Sequence, residues 1–244
     1  MDKELEWKKE RVGLITASEL GGIMSASGKI IDSNLDYVRK KRFERSRRFS
    51  LPVNGRALDV GHEQEPYAVR WFKANHPERE IIYSQDCDKI PFWKVDWANF
   101  GASPDCFSPD ESFVLEIKSV VGNTNLEFFA DFYTSYEDKR AYVLKEHGDQ
   151  LAGQFLSNEK VQEIWLLKYL YQRDEIDEDT DSPLATWRGI IFKFKREEFD
   201  LKRYKDRIVL FDAFIDSLYD PKVMKAPGVK MVNGLIELEE EKKK

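Results

Sequence analysis

Cysteine is scarce in this chain of 244 residues, with Cys87 and Cys106 the whole complement. Two thiols outside a Cys-x-x-Cys spacing exclude a disulfide framework, a zinc site with paired cysteines and a four-cysteine iron–sulfur cluster from one chain. Histidine is nearly as rare, and His62, His76 and His147 share no ligand-like spacing, which argues against a histidine-based hydrolytic site. Apolar runs stay well short of the roughly 18 residues of a membrane span, and residues 1–11 are charged and lack a signal-peptide core. A cytoplasmic protein without a membrane partner is expected. Positive charge is not in excess either: the formal net charge is -6, which taken alone speaks against a nucleic-acid partner, because neutralising phosphates takes Lys and Arg.

Hydrophobic residues at 41% and aromatics at 13% suit one soluble domain with a substantial core. We expect that domain over 1–228 and a charged, flexible tail over 229–244. Residues 4–11 have a helical pattern, and Thr16 or Ser18 can cap a short helix that runs through Ile23. In 35–48 the residues Val38, Arg42 and Arg45 keep helical spacing while Arg39, Lys40 and Lys41 make this the most basic stretch. Residues 56–75 place Leu58, Gly61, Glu65, Ala68 and Phe72 on one helical stripe, with Pro66 as a kink or restart. Short strands are expected at 81–83, 97–102, 113–118, 163–169 and 187–194, and helices at 147–157 and 197–218. An acidic loop, 174–181, joins the last two strands. The six tryptophans read as core or interface residues.

Alternation along 113–118 puts Glu116 and Lys118 on the same side of a strand, with Phe113, Leu115 and Ile117 on the other. A turn at 108–111 would make that strand one arm of a hairpin and set Asp105, in Ser103-Pro104-Asp105, across from Glu116. Two carboxylates and an amine then converge, a set suited to phosphodiester hydrolysis with Mg²⁺, which prefers hard oxygen ligands. An isolated Glu-x-Lys carries little weight, since Glu6-Trp7-Lys8 repeats it. Glu65 adds a third carboxylate on an otherwise apolar stripe, where it needs an Arg or Lys partner, a proton or a metal.

The series Arg11…Ile15-Thr16-Ala17-Ser18, Gly61-x-x-x-Glu65, Gly101-Ala102-Ser103-Pro104-Asp105, Glu116-Ile117-Lys118-Ser119 and Gln150/Gln154 resembles the lambda exonuclease and YqaJ family of phage recombinases, members of the PD-(D/E)xK nucleases. It runs in order over about residues 7 to 170. The resemblance implies an α/β domain with a central mixed sheet flanked by helices. It implies that Glu65, Asp105, Glu116 and the Ile117 carbonyl bind two Mg²⁺ ions, with Mn²⁺ as a substitute. Lys118 then serves the attacking water, Gln150 and Gln154 reach that site, and Arg11 and Ser18 hold the 5′-phosphate of the digested strand. The implied activity is 5′-to-3′ digestion of one strand of linear double-stranded DNA, leaving a 3′ single-stranded overhang, in the cytoplasm of a bacterium or virus-infected host cell. A trimeric ring and a single-strand annealing protein are the implied assembly and partner. Arg39, Lys40, Lys41, Arg42 and Arg45 would form the DNA-facing surface that the net charge conceals. Cys106 stands where the family has Gly, and Ala152 where it has a further Gln. A PD-(D/E)xK endonuclease and a non-catalytic DNA-binding module on the same fold are the alternatives.

Overall fold

The computed structural model describes residues 2–23, 35–49, 56–121, 127–131, 133–171, 184–217, 229–232 and 235–238. The acidic loop at 174–181, the end of the tail at 239–244 and the side chains of Leu58, Gly61 and His62 lie outside the described residues.

The chain begins with α1 (Lys3–Glu10), a two-residue β1 (Ile15–Thr16), a 3-10 turn (Ala17–Glu19) and α2 (Leu20–Ile23). Thr16 caps this turn as the sequence suggests, because Glu19 three residues on returns a carboxylate to the Thr16 backbone N–H. Helices α3 (Leu35–Arg47) and α4 (Arg56–Asn75) follow, and α4 continues through Pro66. Next come β2 (Ile82–Tyr83), β3 (Trp93–Lys94), β4 (Phe100–Ala102), β5 (Cys106–Phe107) and β6 (Phe113–Val121). The second half holds α5 (Glu127–Ala130), α6 (Tyr136–Ser157), β7 (Glu163–Tyr171), β8 (Gly189–Lys195) and α7 (Leu201–Ser217). Strands β9 (Val229–Val232) and β10 (Leu235–Leu238) pair as an antiparallel hairpin within the stretch expected to be a tail.

Among the described residues the main sheet has the order β2-β5-β6-β7-β8, with β6 and β7 parallel and the other neighbours antiparallel. The alternation along β6 holds. Phe113, Leu115 and Ile117 pack with Ala68, Trp71 and Phe72 of α4, whereas Val114 packs with Leu151 and Phe155 of α6. The sheet is thus a layer between α4 and α6, the mixed α/β arrangement that the sequence implied. A separate core gathers Ile15, Ala17, Leu20, Val38, Phe100, Ile208 and Phe211, where β1 joins β4 and β3 in a small sheet against α7.

Some boundaries differ from expectation. Helix α6 starts at Tyr136 rather than 147, with Ser135 as N-cap accepting from the Asp138 N–H. Residues 136–146 carry little apolar periodicity, because Tyr136 and Arg140 meet β8 through hydrogen bonds to the Ile191 and Lys193 carbonyls and only Val143 of this stretch is buried. The expected strand at 97–102 is shorter, at 100–102, and its partner β3 lies upstream.

Gly153 fixes how α6 meets the 3-10 turn. A Cβ at this position would stand 2.7 Å from the Ala17 Cβ and 3.0 Å from its Cα. Although Ala is the better helix former by about 1 kcal/mol, overpacking against backbone costs about 1–3 kcal/mol. Gly153→Ala is therefore expected to lower stability in urea denaturation; an unchanged or higher midpoint would show that the contact yields freely.

Candidate active site

The site grows from the open edge of β6. Strand β5 pairs Cys106 with Leu115 and Phe107 with Val114, so Asp105 follows on opposite Glu116, where the hairpin register predicts it. The turn between them is at 108–111, with Glu111 in the left-handed region at φ 62°. Cys106, in place of the family's Gly, is buried in ordinary strand backbone and needs no positive φ. Beyond Leu115 no β5 residue remains to pair, and the Ile117 N–H donates instead to Asp105 Oδ2 at 2.7 Å. In a strand the N–H and C=O of one residue face the same edge, so the Ile117 carbonyl shares the Asp105 side.

Glu116 points to the α6 face and is 2% exposed. Its Oε1 accepts from Lys118 Nζ and from Gln150 Nε2, each at 2.6 Å, and its Oε2 accepts from Gln154 Nε2. Gln150 and Gln154 reach one carboxylate because a spacing of four puts them on the same helical face. Ala152, the other departure from the family pattern, is fully buried and faces away. Glu65 enters from α4 and accepts from the Tyr83 hydroxyl at 3.2 Å.

Burial pushes the Asp105 carboxyl well above the usual carboxylate range, and the charges of Glu116 and Glu65 push the same way, against Lys118 and the Ile117 N–H. For Lys118, burial works to lower the pKa, but Glu116 and Asp105 outweigh it and raise it, so the amine is held as a cation. Burial, then Glu65, raises the Tyr83 phenol, which stays a donor. Three carboxylates thus crowd one lysine in a buried space, a charge imbalance that a divalent cation would relieve.

These residues line one cavity of about 350 Å³ together with Arg11, Thr16, Ser18, Trp7, Gln64 and Ser103. The structure thereby brings Arg11, Ser18, Glu65, Asp105, Glu116, Ile117, Lys118, Gln150 and Gln154 around a single space, although they come from six segments of the chain. Arg11 lies over the Trp7 ring at 4.1 Å, and Trp7 Nε1 donates to Ser103 Oγ at 2.7 Å. Burial pulls the Arg11 pKa down, with Glu19 acting the other way. Among the described residues no carboxylate stands within ion-pair distance of Arg11.

The basic stretch behaves differently. Lys41 is 4% exposed and paired to Glu19 and Glu44 at 3.1 and 3.5 Å. Arg45 is drawn to Asp212 and Asp216, Arg42 donates to the Asp216 carbonyl at 2.9 Å, and Lys40 faces Glu44 at 3.9 Å. Arg39 stays exposed beside Asp36. None of these five lines the cavity, and Lys41 and Arg45 do not present the open surface that the sequence suggested, because carboxylates distant in sequence draw them inward. The tryptophans divide as well: Trp71 and Trp165 are core, Trp187 is 58% exposed, and Trp7 faces the cavity. Trp7 was legible only as the residue four before Arg11 on a helix with no buried residue. Gln64, which the sequence did not single out, is buried in the cavity wall with its Oε1 lacking a hydrogen-bond partner, as does the buried Oε1 of Gln154.

The donor set fits a hard divalent cation: three carboxylates, a backbone carbonyl on the same edge, and buried amide oxygens still able to accept. As they stand, no three His, Cys, Asp or Glu side chains among the described residues are close enough to hold one, and Glu116 is engaged by Lys118 and the two glutamines.

A mixed sheet between helices, with Asp and Glu-x-Lys at its open edge, is the PD-(D/E)xK nuclease fold. Within that class the chain is similar to an alkaline exonuclease from Laribacter hongkongensis, with a TM-score of 0.62 and 19% identity over 91% of this chain and 100% of the other. The same enzyme solved in complex with dAMP gives 0.63 at the same identity and coverage. A phage-related exonuclease from Haemophilus somnus 129PT gives 0.61 at 14% identity, over 84% and 94% of the two chains. The sequence matches no family model and no curated protein. Among the described residues no helix is long and apolar enough to cross a membrane.

Proposed function

We propose that this chain is a Mg²⁺-dependent exodeoxyribonuclease that digests one strand of linear double-stranded DNA from its 5′ end and leaves a 3′ overhang for recombination. The observation that carries the reading is the single cavity that Asp105, Glu116 and Lys118 share with Arg11 and Ser18. The similarity to solved exonucleases supports a nuclease, and the resemblance in sequence supplies the polarity.

In this reading Glu65, Asp105, Glu116 and the Ile117 carbonyl hold the metal, which supplies Lewis acidity toward a phosphoryl oxygen and lowers the pKa of bound water. Lys118, held cationic by its neighbours, orients the attacking water and offsets charge developing on the phosphate. Gln150 and Gln154 keep Glu116 in one rotamer. Arg11, stacked on Trp7, and the Ser18 hydroxyl bind the terminal phosphate, a task that suits a guanidinium fork free of a carboxylate. The trimeric ring and the annealing partner implied by the resemblance belong to this proposal, as does Mn²⁺ as a substitute metal.

Linear duplex labelled at its 5′ or its 3′ end tests the reading. Early release of the 5′ label as a mononucleotide in Mg²⁺, abolished by EDTA, is the expected result. Covalently closed circles cut as fast as linear DNA would point instead to an endonuclease, and no cleavage with any metal to a DNA-binding module.

A further inference from the structure

The buried side of α3 meets the cavity through Glu19. Glu19 Oε2 accepts from the Thr16 N–H at 3.0 Å, the Thr16 hydroxyl at 3.0 Å and the Tyr37 hydroxyl at 2.8 Å, while Oε1 pairs with Lys41 Nζ at 3.1 Å. Three donors crowd Oε2, and Oε1 holds the Lys41 ammonium, so the charge of Glu19 is already met within this cluster. Arg11 lies close enough to feel the Glu19 charge but makes no ion pair with it. An Arg beside a Glu with no such cation would close on it and be lost to an incoming anion. Lys41 also faces Glu44, whose Oε2 accepts from the Gly13 N–H at 3.1 Å, so the same set pins the loop between Arg11 and Thr16.

We propose that Lys41 and Tyr37 are positioning residues that keep Glu19 engaged, so that the Arg11 guanidinium remains available to the terminal phosphate of a DNA strand. This inference rests on the reading of Arg11 and Ser18 as the end-binding pocket. Two groups on α3 that never touch DNA would then set the preference for phosphorylated ends. Removing Lys41 leaves Glu19 Oε1 without its cation, and Arg11 turns to it.

The test compares kcat/KM on duplexes with 5′-phosphate and 5′-hydroxyl ends. Wild type is expected to prefer the phosphate, and Arg11→Ala to abolish the preference. Lys41→Met should lower it about tenfold, the loss of one charge-assisted hydrogen bond, through KM on phosphorylated ends. Adding Glu19→Gln to Lys41→Met should restore the preference, because the competing carboxylate is gone. A purely structural role predicts instead that both ends suffer alike and that the second substitution makes matters worse. Tyr37→Phe, which removes one hydroxyl, gives a smaller loss in the same direction and serves if Lys41→Met does not fold. An unchanged preference in Lys41→Met or, where that protein does not fold, in Tyr37→Phe, with Arg11→Ala still abolishing it, overturns this inference alone. A wild type indifferent to the phosphate overturns the pocket and this inference with it.

Discussion

Lys118→Ala is expected to lower kcat on linear duplex DNA by about 10³-fold while KM changes by less than roughly threefold. The amine sits 2.6 Å from Glu116, half-buried and close to the charges of Asp105 and Glu65, and with Arg11 it is one of two cations that line the cavity among the described residues. A group that acts on developing charge contributes little to ground-state binding, and DNA affinity should therefore survive its removal. Single-turnover digestion in Mg²⁺, alongside DNA binding measured in Ca²⁺, separates the two quantities. Equal losses in binding and turnover would assign Lys118 to substrate capture instead.

The second large effect concerns stability. Asp105 is half-buried beside two like charges, and its pKa is raised in the folded protein. As pH rises past the ordinary aspartate value of about 3.9, the unfolded chain ionises while the folded one still holds a proton. Folding stability therefore falls until the raised pKa is passed, and the full penalty stands above it. Asp105→Asn should raise the melting temperature of the metal-free protein near pH 8 by about 2–4 °C, equivalent to roughly 1 kcal/mol. Saturating Mg²⁺ should raise that of wild type by about 5 °C or more and leave the variant unmoved. A variant less stable than wild type in EDTA would mean that the bond from the Ile117 N–H outweighs the repulsion.

Much of this site is legible in the sequence because its geometry is local. Alternation alone puts Glu116 and Lys118 together, and the turn at 108–111 sets Asp105 opposite Glu116 through the observed Cys106–Leu115 register. The capping of the Thr16 turn is local too. Burial of α3 was not legible, for a different reason. Lys41 and Arg45 have the spacing of a solvated face, and only Glu19 from the 3-10 turn and Asp212 and Asp216 from α7, with Glu44 of α3 itself, make that face an inner one. The role of Trp7 depends likewise on Ser103, 96 residues away. Helix α6 begins earlier than its apolar stripe because its first turns are held by a Ser cap and by Tyr136 and Arg140, which donate to the Ile191 and Lys193 carbonyls of β8, contacts that leave no apolar period in the sequence.

One turn of α6 touches both halves of the cavity. Gln150 and Gln154 grip Glu116, and Gly153 between them lies against Ala17, next to Ser18. The distance from Ser18 to the carboxylates is then set by the pitch of a single helix. If the strand end is held at Arg11 and Ser18 as proposed, and cut at the carboxylates, the helix works as a gauge: the length of the fragment released at each step is fixed by the rise of one hydrogen-bonded turn.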